Sequence, residues 1–369
     1  MQPAPRRPSA YSAGVRIFSG IQPTGTKHLG NHLGAIRQYV DGQERAGETG
    51  DEALFCVVDL HALTVAYDPI ELRERLYDTA AILLAAGLDP DRCTLFRQSD
   101  VPQHSELTWL LSAVVPNGRL SRMHQFRDKS ASQRELVSAG LLFYPVLMAA
   151  DVLAYRGQEV PVGEDQREHL ELMRDAARDI NRRFAPERGT GEGGEPGLLI
   201  VPEQRTPPVG ARIMDLQEPT RKMSTSSGSV EGTVYVLDEG KALEKKFKRA
   251  VTDSEQGPEA IRYSPKEKPG VSNLLEILAA CKRITIDDAV ASMADARGYG
   301  DLKMATLAAV DAELAPIRDR YAELRPDVSA LEDVLARGPA RASELAEETL
   351  IDVREAMGIG VPRSVKAAR

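Results

Sequence analysis

A short apolar run, Val15 to Phe18, breaks at Gly20, turns through Pro23-Thr24-Gly25 and enters a helical pattern with Leu29, Leu33, Ile36 and Val40 on one face. A strand that feeds a glycine-rich turn into a helix start constrains the fold more than any other stretch of the chain. The unpaired N–H groups and the positive end of the helix dipole converge on one spot, which makes an anion site. His28 stands at its entrance, and Gly30 leaves room for a flat ring close to the backbone. The alternation continues downstream. Val15–Phe18, Ala53–Val58 and Thr94–Phe96 read as strands, with helices between them from about Gly30 to Arg45 and from Pro69 to Ala86. The second has Asp68 as its cap, Pro69 at its first position and Gly87 at its end. This order predicts an α/β fold, a doubly wound, Rossmann-like parallel sheet of right-handed βαβ units. Ligands of such sheets sit beyond the carboxyl ends of the strands, so Gly20–Gln22 and Asp59–His61 should meet there.

A chain of 369 residues is long enough for two or three domains and a large core. Its 42% hydrophobic and 28% charged residues are ordinary for a soluble protein, and no apolar run is long enough to span a bilayer. The net charge of −8 argues against a generic nucleic-acid binder, DNA included, while leaving room for a local basic surface. Lys241, Lys245, Lys246, Lys248 and Arg249 form such a cluster; a solvated helix face is the competing reading. Cys56, Cys93 and Cys281 lack metal-site spacing and read as buried reduced thiols of a cytoplasmic protein. Residues 1–13 lack the apolar core of a signal peptide and read as a disordered extension.

The catalytic domain is expected over residues 14–237, with a helical insertion at about 102–155. A helix is expected from Glu164 to Phe184 after a short strand, Glu159–Val162, and a loose Gly/Glu-rich loop from Pro186 to Gly197. Ile200–Val201, Arg212–Met214 and Thr233–Leu237 are weaker apolar runs, the middle one expected as the strand that presents the segment around Lys222. From Asp238 the pattern turns helical: Gly240–Val251, Ser272–Arg283, Ile286–Ala296, Leu302–Glu323 with a kink at Pro316, and Ala340–Met357. This gives a smaller all-helical domain over 238–338, a last helix over 339–358 and a tail over 359–369.

His28-Leu-Gly-Asn31 alone is weak evidence, because a histidine near a helix start is commonly a polar cap. Lys222-Met-Ser-Thr-Ser226 changes the balance: a loop with a cation between small hydroxyl residues suits closure over a polyphosphate. The pair resembles the HIGH and KMSKS signatures of class I aminoacyl-tRNA synthetases. Further blocks resemble the bacterial tryptophanyl branch of that family: Phe18-Ser-Gly-Ile-Gln-Pro23, Val58-Asp-Leu-His-Ala62, Ser138-Ala-Gly-Leu-Leu142, Tyr144-Pro-Val-Leu-Met-Ala-Ala-Asp151, Val160-Pro-Val-Gly-Glu-Asp-Gln166 and Ala250-Val-Thr-Asp-Ser254. They cover nearly the whole chain.

The resemblance implies a tryptophan–tRNA ligase: ATP and L-tryptophan give tryptophanyl-adenylate, and the tryptophan then passes to tRNA(Trp). It implies catalytic positions at Lys222, Gln22, His28, Asn31 and Arg127. ATP would also contact Pro23, Thr24, Gly30, Gly163, Glu164, Asp165, Ile213, Met223, Ser224, Thr225 and Ser226, with Mg²⁺ bridging its phosphates mainly through water. Tryptophan would lie among Phe18, Gly20, His61, Tyr144, Met148, Asp151, Val160, Val162 and Gln166. On a helix Tyr144, Met148 and Asp151 share a face. A thioether beside a carboxylate suits an indole, whose one polar handle is its ring N–H; core filling is the plain alternative for Met148. The family also implies a homodimer, with residues 117–132 at its interface, and an anticodon-binding role for the helical part. One departure stands out. Thr225 occupies the place of a second lysine, and Arg221 and Arg127 are the candidates to supply its charge. Tyrosyl specificity is disfavoured by Met148, where the tyrosyl relatives usually carry glutamine. A tryptophan-binding regulator without catalysis is kept open by Thr225 and opposed by His28, Gly30, Asn31, Lys222 and Asp151. The long helical part opposes a small nucleotidyltransferase.

Overall fold

The computed structural model describes residues 15–361 apart from 125, 128–136, 164–165, 207–208, 211, 226–228 and 258. Five parallel strands form one sheet in the order β3-β2-β1-β4-β5: β1 Arg16–Ile21, β2 Glu52–Val57, β3 Thr94–Arg97, β4 Glu159–Pro161 and β5 Glu203–Arg205. The order reverses between β1 and β4, so the crevice at their carboxyl ends is where such a sheet takes its ligand. β1 does not end at Gly20, as the sequence suggests, but carries its pairing through Gly20 and Ile21 against Cys56 and Val57 of β2. A Cβ on Gly20 would lie 2.7 Å from the Val58 side chain, so glycine here serves close packing and not strand termination.

The turn after β1 leads into α1 (Leu29–Asn31), a π-helical stretch (His32–Ile36) and α2 (Arg37–Thr49). Then follow the short α3 (Asp59–Ala62), α4 (Pro69–Ala85), which shares a core with α2, and α5 (Gln103–Ser112) and α6 (Asn117–Leu120), which belong to the core on the opposite face. The Asp68 carboxylate caps α4 by accepting from the N–H groups of Ile70 and Glu71. α7 (Ala139–Leu153) and α8 (Arg167–Phe184) flank β4. The Gly/Glu-rich stretch beyond α8 is not loose: the Asn181 amide donates to the carbonyls of Thr190 and Leu199 and accepts from the Leu199 N–H.

None of the three weak apolar runs around 200–237 joins the sheet. Its outer strand is the polar Glu203–Arg205, while Met214 makes only an isolated antiparallel bridge to Lys222. An edge strand at the end of a sheet needs no apolar alternation to pair with its one neighbour. The helical part comprises α9 (Gly240–Lys248), α10 (Pro269–Lys282), α11 (Ile286–Ala291), α12 (Tyr299–Leu324) and α13 (Val328–Ala356). α12 continues through Pro316, and α13 continues through Pro339, where the sequence suggested a start. α13 also leaves the helical part and lies on the sheet. Gly338 sits so close to β3 that a Cβ would fall 2.2 Å from the Leu95 carbonyl oxygen. Arg97 and Tyr77 hold Glu332, and Arg354 pairs with Glu106.

Gly338→Ala should therefore lower stability by about 1–3 kcal/mol, the usual cost of overpacking a closed contact. Urea denaturation reads this as a lower midpoint, and an unchanged midpoint would mean that α13 is not seated on β3.

Candidate active site

A cleft of about 510 Å³ opens at the carboxyl ends of β1 and β4, a size suited to small-molecule ligands. β1 contributes Phe18 and Gly20 to its wall and the following turn contributes Gln22; α1 and its cap contribute His28, Gly30 and Asn31. His61 comes from α3, and Tyr144, Met148 and Asp151 come from one face of α7. β4 and its exit supply Val160, Val162, Gly163 and Gln166, and the returning segment supplies Ile213, Lys222, Met223 and Ser224. Residues from both signatures thus line one cavity.

Other expected residues stand elsewhere. Pro23, Thr24 and Thr225 do not line the cleft, although Thr225 packs on the turn: its Oγ1 lies 2.8 Å from where a Cβ on Gly25 would be. Gly25 has φ of 61°, a conformation that glycine adopts without strain. Arg127 is exposed and is not among the residues that line the cleft. Its N–H donates to the Met123 carbonyl in a helical turn. Glu164, Asp165 and Ser226 lie outside the described residues.

The end of the cleft at the start of α1 is built by capping. His28 is the cap of α1: its Nδ1 accepts from the Asn31 N–H at 3.3 Å, and the Asn31 side chain accepts from the His28 N–H at 3.1 Å. Burial, then the charges of Lys222 and Lys27, push the His28 imidazole down to about 4. The ring is therefore neutral near pH 7, and with Nδ1 accepting, its one proton is on Nε2. Such a group donates a hydrogen bond to a phosphate without titrating. A Cβ on Gly30 would lie 3.0 Å from the His28 ring and 3.6 Å from Ile213, so any larger residue would crowd this part of the wall.

The other end is organised on the buried Asp151 carboxylate. His61 Nε2 lies 2.7 Å from Oδ2; the Gln98 amide donates to Oδ1 at 2.6 Å, and His104 Nδ1 lies 2.5 Å from the same oxygen. Burial alone would raise the pKa of this group by disfavouring its charged form. The opposing charge of His61 and the hydrogen bonds from His104 and His61 outweigh it and hold the carboxyl well below the usual carboxylate range. A carboxylate has about four acceptor positions, so these three contacts leave about one for an incoming N–H. Gln98 and His104 were invisible in the sequence, since β3 and α5 carry no motif. His169 was missed too: its Nε2 lies 3.0 Å from the Tyr144 hydroxyl, and it lines the cleft one α8 turn beyond Gln166. Burial, then Glu168, pushes Tyr144 up to about 12, so its phenol stays neutral.

A family model for class I tRNA synthetases (W and Y) matches residues 12–315. The tryptophan–tRNA ligase of Oceanobacillus iheyensis is 46% identical over 344 residues, covering 93% of this chain and 98% of that one. The chain belongs to the tryptophan–tRNA ligase family. Among solved structures, tryptophanyl-tRNA synthetase from Mycoplasma pneumoniae matches with a TM-score of 0.83 at 34% identity, covering 94% of this chain and 98% of that one. The Campylobacter jejuni enzyme, solved with ADP and tryptophan, matches with a TM-score of 0.71 at 30% identity, over 94% of this chain and 100% of that one. In a member of this family the Asp151 cluster has a second duty, because three donors converge on it before any ligand arrives. Asp151→Ala should cost about 3–5 kcal/mol of stability by stranding those partners. Thermal unfolding without ligands measures this. A variant as stable as the parent would show that the cluster contributes nothing to folding.

Proposed function

We propose that the chain works as a tryptophan–tRNA ligase through the residues of this one cleft. The tryptophan carboxylate attacks the α-phosphorus of ATP, the bond to the bridging oxygen breaks, and diphosphate leaves with tryptophanyl-adenylate formed. A terminal ribose hydroxyl of tRNA(Trp) then attacks the carbonyl carbon and AMP leaves. Neither step needs a covalent enzyme intermediate, so the protein contributes positioning and stabilisation of charge. His28 Nε2–H, Asn31 and the N-terminal N–H groups of α1 would hold phosphate oxygens. Lys222 would meet the charge that develops on the leaving diphosphate. Gly163 and Ile213 would border the adenosine, and Mg²⁺ would enter on the triphosphate, held by phosphate oxygens and water.

The reading rests on one observation: His28 and Lys222 line the same cleft as Met148 and Asp151. A site for a nucleotide alone has no use for a thioether and a buried carboxylate on its far wall. Indole does: Met148 would cover the ring face, and the remaining acceptor position of Asp151 would take the ring N–H. A phenol would bring a hydroxyl to Met148, which cannot satisfy it, so tyrosine should be the poorer substrate.

The second substrate needs a basic surface on a chain of net charge −8. Lys241, Lys245, Lys248 and Arg249 are exposed on and just after α9, whereas Lys246 turns inward to Asp238 at 2.5 Å and over the Tyr235 ring. We assign tRNA contact to the helical part beyond residue 238, in a cytoplasmic homodimer.

Tryptophan-dependent exchange of labelled diphosphate into ATP tests the activity. Exchange should be driven by tryptophan far more strongly than by tyrosine; its absence at saturating tryptophan, or a preference for tyrosine, would refute the assignment. Lys222→Ala should slow adenylate formation by about 2–4 kcal/mol of lost transition-state stabilisation, the scale for one preorganised donor. A rate within about twofold of the parent, equivalent to less than 0.5 kcal/mol, would remove Lys222 from the chemistry.

A further inference from the structure

Lys27 is the one lysine in the turn between β1 and α1, and its side chain is buried, with 4% of its surface exposed. Its Nζ donates to the carbonyl oxygens of Gln22 at 2.7 Å and Thr24 at 3.2 Å. It forms no ion pair with a carboxylate among the described residues. A buried ammonium held only by backbone carbonyls is costly, so its location needs a reason.

The turn itself supplies one. Gln22 precedes Pro23, so its carbonyl has no N–H on the far side of the same peptide unit. Facing the cleft, that carbonyl would present a negative dipole end to an incoming phosphate. Lys27 draws it, and the Thr24 carbonyl, to the underside of the turn. The planar trans peptide then sends the Gly25 N–H the opposite way. Thr225 packs on Gly25 in the same turn. A threonine there brings a hydroxyl and no charge. Lys27 and Lys222 are both near enough to His28 to depress its proton affinity, so the two cations act on one small volume.

We propose that Lys27 is a positioning residue for ATP: it fixes the Gln22–Thr24 turn through two carbonyls and supplies there the positive charge that Thr225, packed on the same turn, does not bring. The inference rests on the adenylation reading and deepens it. The surroundings fit a cation that waits for an anion. From α4, Arg75 opposes the ammonium and Asp78 favours it, but Asp78 is itself engaged by Arg325 and Tyr321. Arg75 also donates to the Thr26 hydroxyl, which keeps its guanidinium beside the turn. His28, neutral, adjoins it in the chain, and Lys222 approaches from the returning segment. Burial, then Arg75, lowers the Lys27 amine to about 7.

The sign of the pH effect follows. A bound triphosphate favours the charged amine, so ATP binding takes up a proton once the free protein has lost it. ATP affinity should therefore fall as pH rises above about 7, while tryptophan affinity does not follow.

Diphosphate exchange with Lys27→Met, Lys27→Arg and Thr225→Lys distinguishes the outcomes. Lys27→Met should raise KM for ATP about tenfold, through loss of the turn's tie and of its nearby charge, with KM for tryptophan within about twofold of the parent. The rise of the parent's KM for ATP between pH 7 and 9 should flatten in that variant, a readout that loss of a purely structural tie would not give. Lys27→Arg, charged throughout, should flatten it too. Adding Thr225→Lys to Lys27→Met should recover most of the lost ATP affinity. An unchanged KM for ATP in Lys27→Met, or an equal rise in both KM values, would overturn the proposal. If Lys27→Met does not fold, Thr225→Lys in the parent decides alone: a weaker pH dependence supports the proposal and an unaltered one overturns it. Failure of the parent to exchange at all would instead refute the adenylation reading.

Discussion

The site depends on a few backbone hydrogen bonds that dock the returning segment onto the start of α1. The Leu29 N–H donates to the Val234 carbonyl at 2.8 Å and the Val236 N–H to the Lys27 carbonyl at 2.9 Å, so the stretch beyond the Lys222 loop runs antiparallel to the nucleotide turn. The loop is closed in turn by the Met223 N–H on the Ile213 carbonyl and the Asp215 N–H on the Arg221 carbonyl. Two stretches about two hundred residues apart in sequence are thereby fixed side by side. Without this ladder His28 would be a helix cap and Lys222 a surface cation, and neither would define a cleft.

The two ends of the cleft solve opposite electrostatic problems. At the nucleotide end, cations and helix N–H groups are collected where a polyanion is to arrive, and neighbouring positive charge keeps His28 neutral. At the other end a full negative charge is buried, and donors from α3, α5 and the β3 exit satisfy most of it within the protein itself. Both are preorganised: the charge and dipole arrangement exists before substrate, so little reorganisation remains for the transition state. Buried groups of this kind are costly in stability, and the chain offsets them with a sheet covered on both faces, including the long α13 that closes over β3.

Much of this architecture was legible from residue order. The alternation of β1, α2, β2, α4 and β3 follows from apolar periodicity, a proline-and-aspartate cap and glycine punctuation, all local signals. The spacing of Tyr144, Met148 and Asp151 also survives, because one helix face is a property of sequence distance. What failed was everything governed by distant partners. Glu203–Arg205 pairs as a strand because β4 offers it an edge, although its side chains give no alternation. Pro339 marks a helix start by propensity, yet α13 passes through it because Leu331, Leu335, Ala342 and Leu345 are held on one buried side. Gly20 looks like a strand end but is needed for its missing side chain. The supports of Asp151 stayed hidden for the same reason: Gln98 and His104 are assigned by where β3 ends and α5 begins, not by any pattern around them.

The most direct measurement of the central claim, that one triphosphate is shared by two remote segments with tryptophan beside it, is a crystal structure with a non-hydrolysable ATP analogue and tryptophan. The account predicts phosphate oxygens within hydrogen-bonding distance of both His28 Nε2 and Lys222 Nζ, and the indole N–H on the Asp151 carboxylate. Phosphates that touch only one of the two segments, or an indole bound with its N–H turned from Asp151, would contradict it.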